Sequence, residues 1–203
     1  MSLPKTSTKA RSLRRVCVYA SSSTHLDQRY HEAATELGLA LAARGIDLVF
    51  GGGRVGLMGT IADAVLGAGG QVYGVIPHKL QALELGHDGC TELFVVDSMH
   101  ARKMMMAQLS DAFIALPGGY GTMEELFEMT TWTQLNYQKK PVGVLNVDGY
   151  YDFLLAFIAH AAREAFVRPL HADLIHAETR PETLLDRLAT AEIPDLAKWI
   201  DRP

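Results

Sequence analysis

Ala112-Phe113-Ile114-Ala115-Leu116-Pro117-Gly118-Gly119-Tyr120-Gly121-Thr122-Met123-Glu124-Glu125 is the stretch whose reading decides the fold. Its first five residues are an unbroken apolar run, which reads as a buried strand; the glycines make a tight turn, and Thr122 onward opens a helix that runs to about Leu135. A strand, a glycine loop and a helix N-terminus in that order build an anion site, and here it faces two carboxylates.

The same grammar appears earlier, where Ile46 to Phe50 leads into Gly51-Gly52-Gly53-Arg54-Val55-Gly56-Leu57-Met58-Gly59 and a helix through Ala68. Before it, Val16 to Ala20 reads as a strand ending in Ser21-Ser22-Ser23-Thr24, and Gln28 to Arg44 as a helix closed by Gly45. After it come strands at Val72 to Ile76 and Leu93 to Val96, separated by an aperiodic stretch, His78 to Gly89, with room for a short helix at 80–85. Ser98 caps a helix from Met99 to Leu109 that carries Arg102 and Lys103. Beyond Leu135, Val142 to Val147 is a strand, Tyr150 to Glu164 an amphipathic helix, Leu174 to His176 a short strand, and Pro181 starts the last helix. Strands alternating with long helices predict an α/β fold, a Rossmann-like doubly wound parallel sheet in one domain. In such a sheet the loops after strands one, two and five converge outside the carboxyl ends of the strands.

The 203 residues are 48% hydrophobic and 21% charged, enough for one continuous core. A net charge of −4 excludes a broad cationic field, so neither nucleic acid nor an anionic membrane is the expected partner. Lys5, Lys9, Arg11, Arg14 and Arg15 cluster at the start, and residues 1–14 read as a disordered basic tail rather than a targeting signal. Residues 15–193 are the expected domain and 194–203 a surface tail. No apolar run approaches the ~20 residues that span a bilayer, and the expected location is cytoplasmic. Cys17 and Cys90 are too few for a disulfide framework or a zinc site and read as free thiols.

The glycine loops match neither G-x-G-x-x-G nor the P-loop pattern. A helix N-terminus contributes ~0.3–1 kcal/mol toward an anion, about 2 when partly buried, whereas micromolar binding requires about 8. More donors are therefore needed, and Arg102, with Arg54 second, is the candidate for a bidentate one. Glu125 is claimed by two readings. Thr122-Met123-Glu124-Glu125 is a capping box in which Glu125 bonds the Thr122 amide; the alternative is a catalytic carboxylate beside a phosphate-shaped loop. Glu124 likewise reads as a favourable first-turn charge or as part of the site. Met104-Met105-Met106 and Trp132 read as packing residues.

Pro117-Gly118-Gly119-Tyr120-Gly121-Thr122-Met123-Glu124-Glu125 resembles the P-G-G-x-G-T-x-x-E signature of the Lonely Guy family, cytokinin riboside 5′-monophosphate phosphoribohydrolases often mislabelled lysine decarboxylases. Further matches are Ser21-Ser22, Gly51-Gly52-Gly53 with Val55 to Gly59, Met99-His100 with Arg102-Lys103, Thr131-Trp132, and Lys140 to Gly143 with Asn146 to Tyr151. The resemblance implies a homodimer that hydrolyses the N-glycosidic bond of a nucleoside 5′-monophosphate without metal or organic cofactor. It implies Arg102 and Glu125 as the catalytic pair, with Glu124 alongside. The match also suggests Glu84 as a substrate contact. In the reading of the loops the phosphate sits on the amides of Gly118, Gly119, Tyr120, Gly121 and Thr122, with Gly52, Gly53, Ser21 and Ser22 closing around the nucleotide and Lys103 and Thr131 as further candidate contacts. Ala20 and Ala101 depart from the family pattern without removing a catalytic group. Two other classes compete: a non-catalytic nucleotide-binding or carrier protein using the same loops, and a pyridoxal-phosphate decarboxylase, for which Lys103 is the one plausible Schiff-base lysine near the loops.

Overall fold

The computed structural model describes residues 11–83 and 85–194. The first strand, β1 (Arg15–Tyr19), shows why the strands read as continuous apolar runs. Val16 and Val18 point into one core while Cys17 and Tyr19 point into a second on the other face of the sheet. A strand alternates its side chains between faces, so burial on both requires an apolar residue at every position.

Helix α1 (Gln28–Ala43) begins where Asp27 accepts a hydrogen bond from the Arg29 amide at 3.2 Å. It ends before Gly45, whose φ of +64° turns the chain into β2 (Asp47–Phe50). Then follow α2 (Gly56–Gly67), β3 (Val72–Pro77), a one-turn α3 (His78–Gln81), β4 (Glu92–Val96), α4 (Met99–Leu109) and β5 (Ala112–Ala115). Helix α5 (Tyr120–Gln134), β6 (Val142–Leu145), a 3₁₀ turn (Val147–Gly149), α6 (Asp152–Arg163), the short α7 (Pro169–Ala172), β7 (Ile175–Glu178) and α8 (Pro181–Thr190) complete the described chain.

All seven strands pair in parallel, in the order β4-β3-β2-β1-β5-β6-β7. Leu37 and Leu41 of α1, Ile61 and Val65 of α2, and Leu184 and Leu188 of α8 cover one face. Met106 of α4 and Leu126 and Met129 of α5 cover the other, with Trp132 packed against that core as expected. Each fully buried Leu or Ile here contributes roughly 1.5–3 kcal/mol by leaving water, which is what binds helices to sheet. The chain steps outward from β1 to β4 and then returns to place β5 on the other side of β1. The crevice between the carboxyl ends of β1 and β5 is therefore the switch point where a doubly wound sheet takes its ligand.

Four details differ from the sequence expectations. Helix α5 starts at Tyr120 with Gly119 as its N-cap, two residues before Thr122. Thr122 is pulled inside instead: it is buried, and a β-carbon on Gly118 would lie 2.1 Å from its hydroxyl. The one-turn helix after β3 comes at His78–Gln81 rather than 80–85, and β7 is shifted to Ile175–Glu178. Val147 leaves the strand because Asp148 and Gly149 adopt φ of 46° and 75°, which closes a turn rather than extending β6. Of the expected basic tail, residues 1–10 lie outside the described residues; the Arg11 amide donates to Ala189 and the Arg14 amide to Asp111. Residues 195–203 of the expected surface tail also lie outside them. No described helix is long and apolar enough to cross a membrane.

Candidate active site

At the switch point lies a cavity of about 370 Å³. Its wall is formed by Ser21, Ser22 and Ser23 after β1, Gly51 after β2, Gly119 with Tyr120 to Thr122, Glu124 and Glu125 at the start of α5, Met58 of α2, and Met99, Arg102 and Met106 of α4. The loops converge as the topology predicts.

Helix α4 is set by its cap, since Ser98 Oγ accepts from the Ala101 amide at 3.1 Å. That fixes Arg102 one turn in, buried to 8% exposure. Its Nε donates to the Val75 carbonyl at 3.1 Å and its Nη2 to the Gly51 carbonyl at 2.8 Å, so the guanidinium is pinned to the carboxyl ends of β3 and β2. Gly51 is what admits it: a β-carbon there would lie 1.8 Å from Nη2. Gly56 serves a second close approach. Its φ is +61°, and a β-carbon would sit within 2.7 Å of backbone atoms of Ser21, Ser22 and Ser23, where Leu57 donates its amide to Ser21 at 2.9 Å.

On the β5 side, the first turn of α5 supplies amides. Met123 is the first to find a backbone acceptor in the turn, donating to Gly119 at 3.0 Å. The amides before it have no intrahelical partner and carry the positive end of the helix dipole. Behind them Glu125 is largely desolvated. Burial pushes its carboxyl from an ordinary 4.5 up to about 7; Glu124 and Glu128 push the same way, and the charges of Arg102 and Lys103 hold it back. The capping-box reading of Glu125 does not survive, because it needs Thr122 as N-cap and Gly119 takes that place.

Lys103 does not line the cavity but is paired with Glu124, which does. It is buried and holds two carboxylates, an ion pair with Glu124 and another with Glu128 at 3.1 Å. Burial works to lower its pKa, and the hydrogen bonds that it donates to Glu124 and Glu128, with their negative charge, outweigh it, so the ammonium is held above its usual value. Glu128 is thus a member of the charge cluster that the sequence reading missed; its place one turn beyond Glu124 was the available signal.

Of the residues expected from the sequence, Arg102, Glu124, Glu125, Gly119, Tyr120, Gly121, Thr122, Ser21 and Ser22 come together in the wall. Gly118 lies behind it, facing an adjoining apolar cavity of about 300 Å³ with Met123, Tyr150, Tyr151 and Leu154. Gly52 and Gly53 are absent from the wall: the Gly52 carbonyl accepts from His87, and Gly53 forms an isolated bridge with Gly86. Arg54 is exposed. Thr131 is exposed on α5, about 16 Å along the axis from Tyr120. Glu84 lies outside the described residues. Met106, read from sequence as packing, and Met58 and Met99, named there only within the motif matches, line the cavity and give it an apolar side. Among the described residues no group of three or more His, Cys, Asp or Glu is placed to hold a metal ion.

The family model described as "Possible lysine decarboxylase" matches residues 58–188. The rice protein "Probable cytokinin riboside 5'-monophosphate phosphoribohydrolase LOGL5" is 54% identical over 175 residues, covering 86% of this chain and 71% of its own. Cytokinin riboside 5'-monophosphate phosphoribohydrolase LOG3 of Arabidopsis thaliana is 49% identical over 86% of this chain and 81% of its own. Among solved structures, the molybdenum cofactor binding protein from the phototrophic bacterium Rippkaea orientalis superposes with a TM-score of 0.64 at 23% identity, over 85% of this chain and 93% of that one, a likeness of fold. With the family model spanning most of the sheet and relatives at about half identity across the domain, the chain belongs to the Lonely Guy family.

Proposed function

We propose that this chain is a phosphoribohydrolase that hydrolyses the N-glycosidic bond of a nucleoside 5′-monophosphate, releasing free base and ribose 5-phosphate, within one domain of residues 15–193. The observation that carries this reading is the meeting in one cavity of the unpaired first-turn amides of α5, a pinned Arg102 and a carboxyl raised to about 7. The phosphate rests on the amides of Gly119 to Thr122. Its binding energy, remote from the reacting carbon, orients the ribose. As the C1′–N bond breaks, positive charge builds on the ribose ring; the Glu125 carboxylate stabilises it and takes one proton from the attacking water, whose oxygen joins C1′. The departing base takes its proton from solvent. Arg102, immobilised by two carbonyls, supplies a fixed positive charge that keeps Glu125 ionisable and meets the substrate's anionic end.

The decarboxylase reading fits poorly. A Schiff-base lysine needs a lowered pKa, and Lys103 is held high by two carboxylates. A carrier protein does not require a desolvated carboxyl in its cavity, and the raised pKa of Glu125 supports a role in proton transfer. The enzyme acts as a homodimer in this reading, supported by Phe153, Phe157 and Phe166, which stand 89%, 61% and 88% exposed on and just after α6. Its compartment is the cytoplasm, in keeping with two free thiols, Cys17 and Cys90.

Chromatography of products from a panel of adenine and N6-substituted adenine nucleoside monophosphates tests the proposal. Free base is expected from monophosphates and hardly from the matching nucleosides, and Glu125→Gln is expected to lower kcat by roughly 10²–10⁴-fold while remaining folded. Saturable nucleotide binding without base release overturns the reading in favour of a carrier.

A further inference from the structure

The turn after β6 reaches across to the glycine loop after β5 and grips it twice. Tyr151, 1% exposed, donates its hydroxyl to the Leu116 carbonyl at 2.6 Å, and Tyr150 donates to the Gly118 carbonyl at 2.7 Å. Both tyrosines are themselves held. Asn146 accepts from the Tyr151 amide at 2.7 Å and donates to Asp152 at 2.8 Å; the Tyr150 amide donates to Val147 at 2.9 Å. The Tyr150 ring meets Tyr151 and Tyr30 edge-on, at 5.1 and 5.8 Å between centroids. Burial drives the Tyr151 phenol far above its ordinary pKa, so it remains a donor at every working pH.

The consequence lies in peptide geometry. No described peptide bond is cis, and in a trans peptide the carbonyl and the following N–H point in opposite directions. Tyr150 and Gly118 sit on the side of the adjoining apolar cavity, whereas Gly119 also borders the catalytic one. Drawing the Gly118 carbonyl toward Tyr150 therefore turns the Gly119 amide away from it, toward the substrate. Without such a tether nothing in the side chains of Gly118 and Gly119 holds their backbone dihedrals, since glycine has none.

We propose that Tyr150 and Tyr151 are positioning residues, which lock the β5–α5 loop so that its Gly119 amide is presented to the ribosyl phosphate before substrate arrives. The inference rests on the phosphate-cradle reading of the site and adds to it the residues that pre-organise the cradle.

Ribose 5-phosphate titrated into the full chain by calorimetry is the test. Wild type is expected to bind it, and Tyr150→Phe to bind it roughly three- to tenfold more weakly, the worth of one oriented hydrogen bond. The Gly119 amide resonance is expected to move on ribose 5-phosphate addition in wild type and to move less at equal saturation in the variant. Because the Tyr150 side chain is half exposed, its Phe variant should keep its Tm and the apparent pKa of its rate profile. Tyr151→Phe should weaken binding similarly, and it should also lower Tm by stranding the Leu116 carbonyl. Wild-type affinity in a folded Tyr150→Phe protein overturns the tether alone. Failure of wild type to bind ribose 5-phosphate overturns the cradle reading, and the tether with it.

Discussion

The loop after β2 and the loop after β5 are both glycine runs between a strand and a helix, and Gly51 and Gly56 of the first serve a different purpose from Gly119 and Gly121 of the second. In the first, glycine makes room inside the protein: a side chain at Gly51 would displace the Arg102 guanidinium, and one at Gly56 would strike the serine loop. In the second, a β-carbon on Gly119 or Gly121 would meet nothing within 4 Å. Those two glycines leave space that the folded chain does not fill, next to amides that it does not pair. A glycine whose missing side chain is replaced by protein serves the fold. Gly119 and Gly121 border the cavity and leave room there for a ligand.

Substitutions at the two loops sharpen this contrast. Gly51→Ala should have the largest effect, costing about 1–3 kcal/mol of stability by overpacking and about a hundredfold in kcat/KM by displacing Arg102; thermal melts and initial rates check it. Glu125 sits between the two loops, and its titration reports on both. If the carboxylate is the active form, kcat/KM should fall about tenfold per pH unit below about 7 and level off above. Since Arg102 holds that pKa down, Gly51→Ala should move the acid limb to higher pH, while Gly121→Ala should leave it in place.

The same carboxyl has a stability cost of predictable sign. Its folded pKa lies above the unfolded value, so the folded state holds the proton more tightly and stability falls as pH rises from about 4.5 to about 7. Glu125→Gln should therefore raise Tm more at pH 8 than at pH 5, by the equivalent of about 1–3 kcal/mol once solvent screening is discounted. The smallest effect belongs to Gly121→Ala. Alanine favours the helix by up to ~1 kcal/mol, so Tm should hold or rise slightly, while KM for a nucleoside monophosphate rises roughly threefold. A loss of Tm there as large as at Gly51 would erase the distinction between the loops.

Much of this was legible in the sequence. The alternation of apolar runs with helical periodicity implied a parallel doubly wound sheet, because the signals for each element lie within a few residues of one another. The glycine turn between β5 and α5 was legible for the same reason, and the motif already named Arg102 and Glu125, which the fold brings to one cavity. The Thr122 capping box misled because a local pattern competed with tertiary packing: Thr122 is drawn beneath Gly118, and the helix begins at Tyr120 instead. Gly52 and Gly53 looked like phosphate ligands because composition alone does not separate glycine for space from glycine for amides.

What the sequence determined by itself was the order of elements, the family, and which residue types could do the chemistry, all of it encoded in short-range spacing. Only the tertiary structure decided how those residues act. The Arg102 contact with Gly51 spans 51 positions, and the Tyr150 and Tyr151 contacts with the glycine loop span 32 and 35. The raised pKa of Glu125 comes from burial and from four charged neighbours supplied by two helices. Desolvation and charge proximity are properties of a packed interior, where atoms far apart in the chain share one low-dielectric space, and no local pattern of residues carries them.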